Sequence, residues 1–418
     1  MKQIPRPSEL LQSGLIFSAI SFLTGLGNMA FQAVIGRHLS EQGQYGNANS
    51  VISGFMPLLG LLPSVATFTV THYIAHFNTA GDTARLQGLL LGCRKFLFWL
   101  TVGGSALAIV VIKPLSDFFH YNESLMLVTL ACTLFGLWGT FVSALCQGLA
   151  WFKRLALIGF LAMALRFAFG WMVTLKSPTA ENAVLASAFA LLANLVLLFW
   201  RKDLSLHGEP VSPWNREFKK YLVVSAAYVA GTYCFLQGDV LVAKKFFLNT
   251  ENDAYNCAKL LAIALPTTMG PLLAVLFTSR SGTRTGNVVA EQIKLLGLYL
   301  GGLFFGAGSL FVLRRFCVEL ILGRRSPEAE AMIGQLSIAM VFVGLLQALA
   351  LWSLASRWSK IIYLYGGLGI IYWLALFAGG KSSGAMLQIM PAGTAISFVI
   401  LFCAWFSVMH RQNSEVQS

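Results

Sequence analysis

Three charged residues fall inside stretches of sequence that are otherwise apolar: Asp239, Lys259 and Arg166. An ionised side chain in such a setting needs a partner or water, because its insertion into hydrocarbon costs at least about 2.5–3.5 kcal/mol. Asp239 could pair with Lys259 and pin two helices together, or it could bind a cation or a proton. Arg166 could bind an anion or contact backbone carbonyls, since no acidic residue is evident in the neighbouring apolar stretches.

The elements that must position these groups are long apolar helices. The chain is 56% hydrophobic and 11% charged, with a mean hydropathy of +0.69, which excludes a normal water-facing surface. Uncharged runs long enough to cross a hydrocarbon core of ~30 Å recur along it. The sequence therefore predicts an all-α polytopic membrane protein with about twelve transmembrane helices. We place them at 12–36, 46–76, 95–113, 124–150, 155–175, 182–200, 221–247, 254–279, 294–313, 331–356, 360–379 and 385–409.

The net charge of +13 comes mostly from basic residues between the apolar runs. In a membrane protein such residues set the topology, because cytoplasmic loops are enriched in lysine and arginine. If both termini are cytoplasmic, the inner side holds 18 of the 30 basic residues and the outer side and outer helix ends hold 10. This distribution predicts cytoplasmic termini, with anionic membrane lipid rather than nucleic acid as the surface partner.

Two series in the sequence have similar spacing, a tyrosine followed by two prolines. They are Tyr45, Pro57, Pro63 and Tyr255, Pro266, Pro271. The steps are 12 and 6 residues in the first series and 11 and 5 in the second, as expected after a duplication with small slips. We therefore predict two six-helix halves, 1–200 and 221–418, around a central cleft and joined by a cytoplasmic linker at 201–220. The four prolines are the predicted hinges, because each removes a helical hydrogen bond.

Polar residues recur at helical spacing on the predicted spans beside these hinges. The ones that we expect to line the cleft are Asn28, Gln32, Asn49, Tyr228 and Tyr255. Together with Arg166 and Lys259 they form the predicted substrate-binding set, and Asp239 is the candidate for ion coupling. Small and polar residues also hold membrane helices together without any ligand. Both interpretations of these faces stay open at this point.

Two segments carry a family resemblance. The first is Gly36-Arg37-His38-Leu39-Ser40 followed by Tyr45-Gly46, and the second is Gly238-Asp239-Val240-Leu241-Val242 followed by Asp253-Ala254-Tyr255 and a helix ending Leu276-Phe277-Thr278-Ser279-Arg280-Ser281. They resemble the first helix connection and the seventh and eighth helices of polysaccharide and O-antigen flippases. Those proteins belong to the multidrug/oligosaccharidyl-lipid/polysaccharide exporter superfamily. The resemblance is clearest over 30–80 and 221–282.

This resemblance implies a flippase of the bacterial inner membrane that translocates a lipid-linked oligosaccharide or polysaccharide precursor by alternating access. The head group would lie against Arg166 and Lys259. The implied partners are the lipid-linked glycan and the glycosyltransferases or polymerase of the same pathway. Two alternatives remain, an ion-coupled exporter of drugs or other small molecules and a membrane scaffold of a glycan-assembly complex.

Motifs of enzymes and of metal sites are scarce. Gly380-Lys381-Ser382 is the end of a phosphate-binding loop motif, but Ala375 stands where that motif requires glycine. The sequence contains no HExxH or GxSxG, and its seven cysteines include no CxxC pair. We therefore expect no catalytic residue, no cofactor and no metal, and do not expect an enzyme.

Overall fold

The computed structural model describes residues 7–40, 44–199, 211–212, 214–281 and 288–417. Helix accounts for 91% of the structure, and the described residues form no strand. The helices are α1 (Pro7–Ser40), α2 (Tyr45–Ser50), α3 (Met56–Leu59), α4 (Leu61–Ala80), α5 (Thr83–Phe119), α6 (Glu123–Gly148), α7 (Phe152–Lys176), α8 (Ala180–Phe199), α9 (Arg216–Leu236), α10 (Gly238–Phe246), α11 (Asn249–Ser281), α12 (Val288–Leu322), α13 (Pro327–Ala355), α14 (Ser359–Gly379) and α15 (Ser383–Gln417).

These helices make a multi-pass membrane protein. Eight of them are long and apolar enough to cross a bilayer, and three bent pairs pass the same test when each is taken as one span. With α8 they form about twelve helical spans in two halves, so the predicted fold class is confirmed. We call α1–α8 the first half and α9–α15 the second half. The predicted linker at 201–220 lies partly outside the described residues, and its boundaries stay a prediction.

The direction of the spans defines two faces of the molecule. Each span is followed by a connection, and the next span runs back. The first face is where α1, α5, α7, α10, α12 and α14 end, and the second face is where α4, α6, α8, α11, α13 and α15 end. The charge distribution predicts that the second face is cytoplasmic.

The second predicted helix, 46–76, is broken in the structure. A π-helical turn at Val51–Phe55 separates α2 from α3, and the chain bends by 58° between α3 and α4. The bend lies between Pro57 and Pro63, where the missing N–H groups interrupt the hydrogen-bond ladder. In the π-helical turn, the Gly54 carbonyl accepts a hydrogen bond of 3.2 Å from the Tyr233 hydroxyl on α9. The first bend is thus tied to the second half.

The seventh predicted helix, 221–247, is also broken, although it contains no proline. Gln237 has a non-helical φ of −137° between α9 and α10, and the two helices meet at 45°. In contrast, α11 runs through Pro266 and Pro271 as one helix. The two proline series therefore do not produce matching breaks, and the hinge role of the prolines stays a prediction.

The third span is longer than the predicted 95–113. It begins at Thr83, where the Asp82 side chain caps the helix by accepting a hydrogen bond from the Arg85 N–H at 3.0 Å, and it bends by 61° near residue 108. The prediction ended the helix at charged residues. An exposed helix continues past such residues because their side chains reach water.

Close packing of α9 on α14 depends on glycine. A Cβ atom at Gly366 would lie 2.7 Å from the Ala227 carbonyl oxygen of α9, and one at Gly369 would lie 2.8 Å from the Gly231 Cα. Both neighbours are backbone, so they cannot move aside as a flexible side chain would. The absence of a side chain at Gly366 and Gly369 sets the distance between the two helices.

The variant Gly366→Ala is expected to lower the free energy of unfolding by about 1–3 kcal/mol, the usual cost of overpacking. The neighbouring Gly367 provides the matched control, because a Cβ there would meet nothing within 4 Å. Gly367→Ala should leave stability unchanged or raise it slightly, since alanine favours helix over glycine. Denaturant unfolding in detergent, followed by circular dichroism, measures both. Equal effects of the two variants would contradict this account of the α9–α14 contact.

Candidate functional site

Asp239 and Lys259 form a buried ion pair in the second half. Asp239 lies at the start of α10, next to the break at Gln237, and Lys259 lies on α11. The Lys259 Nζ is 2.8 Å from the Asp239 Oδ2, and the side chains are 1% and 0% exposed. The Tyr255 hydroxyl donates a second hydrogen bond to the same oxygen. The charges are therefore neutralised locally, and the pair fixes the α10–α11 hairpin.

Two methionine side chains lie against the buried Asp239–Lys259–Tyr255 group. The Lys259 Nζ lies 3.7 Å from the Met340 Sδ on α13, and the Tyr255 hydroxyl lies 3.4 Å from the Met390 Sδ on α15. The other carboxylate oxygen of Asp239, Oδ1, is buried and has no hydrogen-bond partner among the described residues. One acceptor of this carboxylate is thus unused in the present conformation.

Arg166 lies apart from this pair, in the first half, between α7 and α1. Its Nη1 donates to the Asn28 Oδ1 at 3.3 Å, and its guanidinium lies 4.3 Å from the centre of the Phe31 ring. The ring of Phe31 fits here because Gly170 has no side chain; a Cβ at Gly170 would lie 2.3 Å from the ring. The Nε and Nη2 atoms of Arg166 are buried and have no partner among the described residues. Two cationic donors are therefore available for an anion.

Polar residues join the two halves near the first face, and we call them the polar seam. Asn49 accepts a hydrogen bond from Gln32 at 3.3 Å and donates one to Asn256 at 3.1 Å. Asp253 accepts a hydrogen bond of 2.6 Å from the backbone N–H of Gly46. All five residues are buried. The predicted Gln32 and Asn49 thus meet, and Asn49 connects them to Asn256 of α11.

Further contacts close the first face outside the polar seam. Lys244 donates to the Asn47 Oδ1 at 2.6 Å, and Lys245 donates to the Phe118 carbonyl at 2.8 Å. The Arg37 Nε donates to the Leu320 carbonyl at 3.3 Å. Each bond connects one half with the other, so the first face is closed in this conformation.

Aromatic side chains join the halves toward the second face, and we call them the aromatic seal. The rings of Phe68 on α4 and Tyr228 on α9 lie 4.8 Å apart, and those of Tyr73 and Phe218 also lie 4.8 Å apart. Tyr228 further stacks on Tyr365 of α14. The predicted Tyr228 therefore belongs to the contact between the halves.

The predicted substrate-binding residues thus form four separate groups. Tyr255 and Lys259 lie with Asp239, Asn28 lies with Arg166, and Gln32 and Asn49 lie in the polar seam, while Tyr228 is in the aromatic seal. Arg166 and Lys259 are in different halves and do not meet in this conformation. Within the described residues, no three His, Cys, Asp or Glu side chains are grouped so as to hold a metal ion.

Solved structures share this fold. A MATE transporter in the bent conformation matches 100% of both chains with a TM-score of 0.71 and 10% identity. An outward-facing multidrug resistance MATE family transporter of the MOP superfamily matches 97% of both chains with a TM-score of 0.68 and 10% identity. A mutant of the Vibrio cholerae MATE transporter VcmN matches over 97% of this chain and 98% of that one, with a TM-score of 0.64 and 14% identity.

The similarity in sequence is much weaker than the similarity in structure. No family model and no curated protein sequence matches this chain. At these identities the likeness defines the fold: the chain has the MATE-like arrangement of about twelve helices in two halves. This agrees with the superfamily that the sequence resembles, and it does not single out the polysaccharide flippases within it.

Proposed function

We propose that the chain is a membrane transporter that moves a lipid-linked oligosaccharide or polysaccharide precursor across the bilayer by alternating access. The observation that carries the proposal is Arg166, a cationic side chain inside a span with two buried donors that no described protein group satisfies. Leaving these donors unsatisfied is costly. A ligand that supplies anionic oxygen would remove that cost, and the phosphate of a lipid-linked sugar is such a group.

The orientation of Arg166 supports binding of a phosphate. Its Nη1 is held by Asn28, and Phe31 stacks on the face of the guanidinium. The remaining Nε and Nη2 donors lie on the same edge of the group, where they can engage two oxygens of one phosphate in parallel. A lysine provides no such edge. The head group would bind here while the lipid tail stays in the bilayer.

Lys259 has a different role in this proposal from that of Arg166. In the present conformation its charge is neutralised by Asp239, so it offers little attraction to an anion. It would reach the head group only after the pair separates. Binding of a cation or proton by Asp239 would release Lys259 and would couple the transport step to an ion gradient, whose contribution is ~2.3 kcal/mol per charge at 100 mV.

Alternating access requires the contacts between the halves to form and break. The polar seam and the aromatic seal are two separate sets of such contacts, one toward each face. The bends at α3–α4 and at α9–α10 lie beside them and provide flexible points in the spans. In this scheme the present structure, with both sets of contacts formed, is an intermediate closed at both faces, and the transported head group leaves or enters at the first face when the polar seam opens.

Bridging the polar seam is therefore expected to stop transport. In the variant Asn49→Cys/Asn256→Cys, a short bifunctional thiol reagent would hold α2 against α11. Flipping of a fluorescent, diphosphate-linked polyprenyl sugar in proteoliposomes, measured by its accessibility to dithionite, should cease after bridging and return after cleavage of the bridge. The single-cysteine variants treated in the same way are the controls. Unchanged flipping with a complete bridge would contradict the proposal.

A second candidate is an ion-coupled exporter of small cationic or amphipathic compounds. It is favoured by the shared fold with a solved multidrug resistance transporter. The same proteoliposomes distinguish the two functions when they are loaded with a cationic dye. Dye efflux without flipping of the lipid-linked sugar would favour the exporter. A scaffold for glycosyltransferases or a polymerase would show neither activity.

A further inference from the structure

A histidine lies at the contact between the two halves, next to the aromatic seal and near the second face. His72 is on α4 of the first half and is 1% exposed. Its ring stacks on Tyr221 of α9 with centroids 4.3 Å apart. Its Nε2 atom is 3.1 Å from the Nη2 of Arg357, which lies in the turn between α13 and α14. The histidine therefore contacts two elements of the second half.

The partner determines the protonation state of this histidine. Arginine has only donors and stays charged, so the His72 Nε2 must be the acceptor of this hydrogen bond. The imidazole is then neutral and carries its proton on Nδ1, which is buried and has no partner among the described residues. A second proton on Nε2 would point at a guanidinium 3.1 Å away. The contact between His72 and Arg357 exists only with a neutral imidazole.

Among the described residues, no carboxylate contacts His72 to offset a second positive charge there. The rings of Tyr73 on α4, Tyr221 on α9 and Phe277 on α11 lie against His72. The charged or titratable groups that act on it are His76 on α4 and Arg357 in the α13–α14 turn, while Glu217 of α9 acts on Tyr73. No described acidic residue forms an ion pair with His72 or Arg357. Arg357 is exposed, so protons can reach this site from the water at the second face.

We propose that His72 is a proton-binding site that controls opening of the contact between the two halves at the second face. While the halves are closed, Arg357 occupies the only acceptor that a proton could use. When they separate, the imidazole meets water and Nε2 becomes free. A proton that binds only the separated state must favour that state. Acidification therefore opens this contact, and the closed contact excludes the proton.

The size of the effect follows from linkage. A histidine side chain in water has a pKa of about 6.5. If the closed state takes up no proton on Nε2, the ratio of open to closed molecules rises about tenfold between pH 7.5 and pH 5.5. The sign is fixed: the closed contact is most stable above this range and loses stability as the pH falls through it.

Spin labels across the second face test this site. Ala80 at the end of α4 and Lys360 at the start of α14 are both exposed. Labelled Ala80→Cys/Lys360→Cys protein, with the non-buried Cys317 and Cys403 replaced by serine, would be studied in nanodiscs by electron–electron double resonance. We expect a second, longer distance whose ratio to the short one rises about tenfold from pH 7.5 to pH 5.5. A distribution that does not change with pH would overturn the proposal.

Variants assign the response to one histidine. In His72→Gln, the amide oxygen can still accept from Arg357 but does not titrate, so the short distance should persist at both pH values. His76→Gln changes the other histidine of α4 and should keep the wild-type response. Arg357→Gln, at an exposed position, removes the cation without touching the core and should weaken the response. A wild-type response in His72→Gln or in Arg357→Gln, or loss of the response in His76→Gln alone, would overturn the assignment.

Discussion

Replacing Arg166 with alanine is expected to slow flipping of a diphosphate-linked lipid by about 10–100-fold. A hydrogen bond to a charged group contributes about 1.5–3 kcal/mol, and each 1.4 kcal/mol is about a factor of ten. Arg166→Lys should recover little of this loss, because an ammonium group cannot bind two oxygens along one planar edge. Initial rates in proteoliposomes with equal amounts of protein measure both variants.

The control for this prediction is on the same helix. Lys153 is exposed at the second-face end of α7, so Lys153→Ala removes a positive charge from α7 without touching the Asn28–Arg166 contact. It should flip the lipid at the wild-type rate. Full activity of Arg166→Ala in folded protein would rule out Arg166 as the head-group site. If Arg166→Ala and Lys153→Ala lowered the flipping rate equally, Arg166 would contribute only its net charge and not a specific binding site.

Breaking the Asp239–Lys259 pair from one side is expected to lower the free energy of unfolding by about 3–5 kcal/mol, because the remaining charge stays buried. Asp239→Asn is the variant to use, since its amide oxygen can still accept from the Tyr255 hydroxyl. Adding Lys259→Met removes the second charge while keeping similar volume. Asp239→Asn/Lys259→Met should then recover most of the loss, as measured by denaturant unfolding in detergent.

The double variant also separates a structural pair from a coupling site. If Asp239 binds the coupling cation or proton, stable Asp239→Asn/Lys259→Met protein should lose the dependence of flipping on pH and sodium. Unchanged dependence would leave the pair with a structural role only. If Asp239→Asn alone were as stable as wild type, the buried pair would not hold the α10–α11 hairpin.

Much of the architecture follows from hydropathy, because each span must satisfy its own backbone within hydrocarbon. The number of helices could be predicted from the sequence. The pairing of Asp239 with Lys259 could be predicted as one of two alternatives, because the two residues lie on either side of a single helix connection. The break at Gln237 was not predicted, because the segment has no proline and the short run Gln237-Gly238-Asp239 was taken as part of one span. Conversely, Pro266 and Pro271 predict a break that α11 does not make.

The contacts between the halves were the part that sequence could not show. Asp253 pairs with the backbone N–H of Gly46, 207 residues away, and a backbone donor has no signature in a sequence. Asn252 and Asn256 are four residues apart and therefore lie on one face of α11. This pair was the sequence feature from which a polar contact there could have been predicted. The separation of Arg166 from Lys259 depends on how the halves dock. Helical spacing within one span carries no information about that.

The most direct test of the proposed function compares an anionic lipid with a neutral one in which the diphosphate charges are removed by esterification. Proteoliposomes with the wild-type protein would be given a fluorescent polyprenyl diphosphate sugar and its neutral, fully esterified counterpart, and the initial flipping rate of each would be measured. We expect rapid flipping of the anionic lipid and a background rate for the neutral one. Equal rates, or transport of a cationic dye alone, would contradict the proposed function.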